Sequence, residues 1–69
     1  MRKYLVIYEK ARENYSAYSP DIPGCIATGK TRKETEKNIK AAISLHISGL
    51  KKDGLPVSEP STFTEYVEV

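Results

Sequence analysis

Between Ser19 and Cys25 the chain reads Ser-Pro-Asp-Ile-Pro-Gly-Cys, with two prolines and a Pro-Gly pair inside seven residues. Pro20 and Pro23 have no backbone N–H to donate and hold φ fixed, so neither a helix nor a central strand runs through this segment. Gly24 follows Pro23 and can supply the positive φ that a type II turn demands. Asp21 sits between the two prolines as a turn residue. The chain therefore reverses here, and the residues before the turn must fold back against those after it.

A short strand and then a helix start come after the turn. Cys25-Ile26-Ala27-Thr28 is small and β-branched, Gly29 breaks it, and Thr31 with Glu34 has capping-box spacing. The Thr31 hydroxyl is placed to accept from the N–H of Glu34 while the Glu34 carboxylate reaches back. Thr35, Ile39, Ala42, Ile43, His46, Ile47 and Leu50 recur at spacings of three and four, which marks one stripe of a helix of about five turns. Lys51 and Lys52 complement the dipole of the last turn, and Gly54 is the stop.

Before the turn, Tyr4-Leu5-Val6-Ile7-Tyr8 is short, aromatic and β-branched and reads as a strand with apolar residues on both faces. Lys10–Asn14 is a polar turn, with Asn14 the residue most tolerant of positive φ. Tyr15–Ser19 returns as a second, antiparallel strand. Leu55–Ser61, with Pro56 and Pro60, is an extended connector. Phe63–Val69 resumes alternation, with Phe63, Val67 and Val69 on one face, and is expected to be a terminal strand at an edge or across a dimer.

The expected fold is α+β in the order β-β-β-α-β: a three-stranded antiparallel sheet plus a terminal strand, with one long helix packed on one face. Residues 1–69 are expected to form a single domain. A domain of this size buries only about 60% of its unfolded surface. One helix covers one sheet face, so a homodimer or higher homo-oligomer, or another partner, is expected on the rest.

Several function classes are set aside by composition. A single cysteine makes no internal disulfide, no apolar run approaches the ~20 residues that cross a bilayer, and Leu5-Val6-Ile7 is too short for a signal peptide. A cytoplasmic protein with no membrane association is expected. The net charge of +2 is unevenly laid out: residues 30–52 hold seven Lys or Arg against Glu34 and Glu36, while residues 53–69 hold four acids and no cation. The basic helix reads as a solvated face. Arg32, Lys33, Lys37 and Lys40 lack an aromatic platform, so RNA binding is weak at most.

No catalytic constellation is legible. His46 is a lone histidine beside Ile43 and Ile47, with no carboxylate three or four residues away, and reads as a boundary core residue. Cys25 reads as a small buried hydrophobe. Gly29-Lys30-Thr31 lacks the spacing of a phosphate-binding loop, and no cofactor or metal is expected. The tyrosines point to an interface. If Leu5 and Ile7 face the helix, then Tyr4, Val6 and Tyr8, with Tyr18 and Tyr66, lie on the open face, where a hydroxyl-bearing ring suits a partner.

Taken in order, the Tyr4–Tyr8 strand, Tyr15–Tyr18, the Pro20–Cys25 turn, the Thr31-capped helix and the Gly-Leu-Pro-Val-Ser-Glu-Pro connector resemble the HicB family of antitoxins. The resemblance runs from about Tyr4 to Pro60. It implies a partial ribonuclease-H-like fold, no enzymatic activity, and neutralisation of HicA, a small messenger-RNA-cleaving toxin with a double-stranded-RNA-binding-like fold. Many family members carry a DNA-binding segment after the last strand. This sequence stops at Val69, so DNA binding and operator repression are not expected. Occlusion of the toxin is expected to use Tyr4, Tyr8, Glu59, Glu65, Tyr66 and Glu68, the acids standing in for phosphate. The alternative is a degenerate ribonuclease-H-like domain with residual nucleic-acid or metal binding, although the acids fall in turns, the connector and the last strand rather than at the sheet's centre.

Overall fold

The structure, a computed structural model, describes residues 2–69. Strands β1 (Ile7–Lys10), β2 (Tyr15–Tyr18) and β3 (Ile26–Gly29) precede one long helix, α1 (Arg32–Lys52). The sheet is antiparallel in the order β1-β2-β3. This is the expected three-stranded sheet followed by a long helix.

The turn forms as its residues dictate. Ile22 N–H donates to Ser19 O at 3.1 Å and Cys25 N–H donates to Ile22 O at 3.2 Å, giving two successive turns, each with a proline at its second position. Gly24 has φ +79°, the positive value that the second turn needs. Between the two turns Ile22 is driven inward and is 2% exposed. Asn14 is not used in the same way, since no non-glycine residue among those described has positive φ. The Ala11–Asn14 loop closes instead through Ala11 N–H donating to Asn14 O at 2.8 Å.

Both helix ends match their signals. Thr31 is extended and its Oγ1 accepts from Glu34 N–H at 3.0 Å. Glu34 Oε1 reaches back one residue further than the standard box, to Lys30 N–H at 3.0 Å. At the far end Gly54 has φ +71°, Gly54 N–H donates to Lys51 O and Leu55 N–H to Leu50 O, the paired bonds of a Schellman stop.

The core is Ala17, Ile22, Cys25 and Ile39, with Tyr4, Val6, Tyr8, Ala27, Ala42, Ile43 and Ile47 packed against it. Full burial of a side chain the size of Ile39 is worth roughly 1.5–3 kcal/mol, so a set this small leaves little margin. The radius of gyration is 13.3 Å, against about 11 Å for a compact chain of this length. The extended C-terminal segment contributes to that excess.

Four expectations are corrected. The first strand begins at Ile7 rather than Tyr4, because Ile7 pairs with Tyr18, after which β2 gives way to the turn that follows Ser19. Gly29 does not break β3 but ends it inside the ladder, opposite Tyr15. His46 is exposed and not at the core boundary. Residues 63–69 form no strand, and Phe63, Tyr66, Val67 and Val69 are exposed, because no strand of the single chain hydrogen-bonds to them.

Candidate partner-binding surface

Sheet register decides which residues are available to a partner. Tyr8 pairs with Ala17 and Ala17 with Ala27, a row that includes buried Ala17 and faces the helix. Tyr4 and Val6 pack on the same core. The opposite row, Ile7–Tyr18–Ile26, lies on the open face, with Ile26 65% exposed. The face assignment expected for the first strand is therefore reversed: Tyr4, Val6 and Tyr8 serve the helix side, and Leu5 and Ile7 alternate to the open side. Helix α1 lies tight against β3 at Gly29, where a Cβ would stand 2.6 Å from Thr35 Oγ1 and 2.8 Å from Thr35 N.

The six residues expected to bind a partner separate into two groups and one outlier. Tyr8, Glu65 and Tyr66 meet at a groove of about 550 Å³ between the first strand and the C-terminal segment, with Lys10, Tyr15 and Arg32 on its walls. The Arg32 guanidinium lies over the Tyr8 ring, 5.2 Å from its centroid, and the Lys10 ammonium lies 5.9 Å from that of Tyr15. Tyr4 and Glu59 form the second group. The Tyr4 hydroxyl donates to Ser58 O at 2.6 Å and Arg2 pairs with Glu59 at 3.2 Å. The Tyr4 hydroxyl and the Glu59 charge together raise the Arg2 pKa. Glu68 is exposed and does not line the groove.

Asp21 has a role that its place in the turn did not reveal. Its carboxylate accepts from Ser61 N–H and Oγ–H and from Thr62 N–H and Oγ1–H, at 3.3, 3.1, 3.1 and 2.7 Å. The Thr62 hydroxyl contributes most to holding the Asp21 carboxyl below the usual carboxylate range. Across forty residues of sequence this clamp ties the connector to the Pro20–Gly24 turn and sets where the free segment departs. The Ser-Thr pair after Pro60 was the only sequence signal for it.

The remaining reactive groups are quiet. Cys25 is buried and burial raises its thiol pKa, keeping it protonated. Among the described residues no three His, Cys, Asp or Glu side chains are grouped to hold a metal, and no helix is long and apolar enough to cross a membrane. The distinctive surface is the exposed segment Phe63–Val69, apolar at four positions and acidic at Glu65 and Glu68, beside a groove with a cationic wall.

Residues 4–69 match the family described as "HicB_like antitoxin of bacterial toxin-antitoxin system". An uncharacterized 14.9 kDa protein of Haemophilus phage HP1 is 42% identical over 59 residues, covering 83% of this chain and 44% of the phage protein. The chain thus spans less than half the length of that relative. A UPF0150 protein of Thermoplasma acidophilum is 47% identical over 51 residues, covering 72% of this chain and 74% of that one. Among solved structures, a chain of a HicA3 and HicB3 toxin-antitoxin complex superposes with a TM-score of 0.72 at 33% identity, covering 87% of this chain and 70% of that chain.

Proposed function

This chain belongs to the HicB-like antitoxin family of bacterial toxin-antitoxin systems, and from that membership we propose that it neutralises a HicA-type, messenger-RNA-cleaving toxin by covering the toxin's RNA-binding surface. It acts by binding, in the cytoplasm, and associates with itself as well as with the toxin. The observation that carries the mechanism is the exposed Phe63–Val69 segment, which places Glu65 and Glu68 beside Phe63, Tyr66, Val67 and Val69. A surface built to bind RNA is cationic, and acids that mimic phosphate speed encounter with it, while the buried aromatic and aliphatic area holds the complex. The likeness to a chain from a HicA3 and HicB3 complex supports the choice of partner.

The test is binding kinetics against a HicA-type toxin. Charge reversal, Glu65→Lys with Glu68→Lys, is expected to slow association and flatten its dependence on salt. Tyr66→Ala is expected to speed dissociation instead. Tyr66 is a cleaner choice than Tyr8, because Tyr8 also packs on the core and its loss would disturb the fold. If both variants keep wild-type kinetics, the C-terminal segment is not the toxin-facing surface.

A further inference from the structure

The two edges of the sheet are not equivalent. On β3 the helix closes over the strand, with Asn38 Nδ2 donating to Thr28 O at 2.8 Å and Thr35 pressed against Gly29. On β1 the outer side faces a groove whose far wall is the chain's own Thr64–Tyr66. The ladder with β2 stops at Ile7, so Tyr4–Val6 continue the strand half-buried and outside any ladder. A strand edge whose backbone groups are outside any ladder is a template for another strand.

Residues 63–69 have the properties of the strand that is missing. They alternate, they are aromatic and β-branched at Phe63, Thr64, Tyr66, Val67 and Val69, and they contain no proline or glycine. They are as long as the extended run 4–10. Their only charges are Glu65 and Glu68, whereas the groove beside the first strand carries Lys10 and Arg32. In a single chain the segment does not pair with that edge: its root is held by the Asp21 clamp and by Tyr4 on Ser58, and Thr64–Tyr66 line the groove.

We propose that residues 63–69 of one copy add as a strand to the edge formed by Tyr4–Lys10 of a second copy, and that the second copy returns the same contact. The occupant of the groove edge is thus a second copy of this chain, joined by reciprocal strand exchange about a two-fold axis. This rests on the reading that the chain associates with itself, and it places the segment proposed to face the toxin in a ladder with the second copy. The ladder is made by backbone groups, so side chains on the outer face of the exchanged strand stay available to another partner.

Tyr66→Pro with Val67→Pro removes two successive N–H groups, one of which faces the partner strand in either register, from exposed positions that the single chain does not pack, so the fold is expected to survive the change. Light scattering at micromolar concentration is expected to give twice the 7.7 kDa chain mass for the wild type and the single mass for the double-proline variant, with the same helical circular dichroism in both. Amide exchange is expected to be slowed at residues 64–69 in the wild type. A wild-type monomer would remove self-association altogether. A dimer in both proteins would leave self-association standing and overturn the exchanged strand.

Discussion

Two glycines show how the same residue type serves two physical ends. Gly24 sits at φ +79° with nothing within 4 Å of an added Cβ, so its requirement is backbone conformation alone. Gly29 has ordinary φ, and its requirement is space, because the first turn of the helix lies against it. Gly24→Val and Gly29→Ala are each expected to cost about 1–3 kcal/mol, the first through strain and the second through overpacking. In a domain of this size each kcal/mol lowers the thermal midpoint by roughly 4–8 °C. Calorimetry on the pair with second-site changes separates the causes. Gly24→Asn is milder than Gly24→Val because asparagine tolerates positive φ. Gly29→Ala is only partly relieved by Thr35→Ala, since the Thr35 backbone nitrogen remains 2.8 Å away.

At the scale of elements the C-terminal segment depends on one carboxylate. Asp21 takes four hydrogen bonds from Ser61 and Thr62, and the ionised form is the one that accepts them all. Its pKa is lowered in the folded chain, so the clamp contributes fully above the ordinary aspartate pKa and is lost as pH falls through the lowered value. The Ser61 and Thr62 amide chemical shifts are therefore expected to stay constant from neutral pH down to about pH 4 and to move toward random-coil values below it. Asp21→Ala should show the released shifts at every pH. Wild-type shifts that move at pH 5 to 6 would mean that a different group holds the segment.

For the whole molecule the governing fact is a small core beside a large apolar remainder. Among the described residues four hydrophobic side chains are buried, while Ile26, Leu45, Leu55, Phe63, Tyr66, Val67 and Val69 are each more than half exposed. A second copy that covers part of that remainder binds the folded chain and not the unfolded one, so stability rises with concentration by mass action. The thermal midpoint of the wild type is expected to climb by several degrees over a hundredfold dilution series read from dilute to concentrated. A midpoint independent of concentration would show that the single chain stands alone.

The turn, both helix caps, the three strands and the family were legible in the residues, because each rests on local chemistry. Proline lacks a donor, glycine reaches positive φ, and Thr31 with Glu34 closes a helix start within four residues. Periodicity likewise placed Thr35 and Ile39 inward. It overreached at His46, where the buried side of α1 is narrower than the stripe of apolar spacing suggests. What local chemistry could not decide was which face of the first strand meets the helix, since Leu5 and Ile7 are as apolar as Tyr4, Val6 and Tyr8 and alternation alone is symmetric. Register broke that symmetry by setting Tyr8 beside Ala17, whose small side chain lets the helix approach. The Asp21 clamp and the unpaired Phe63–Val69 segment were hidden for the same reason: both depend on residues some forty or more positions apart, and only the folded chain brings those together or leaves them unmatched.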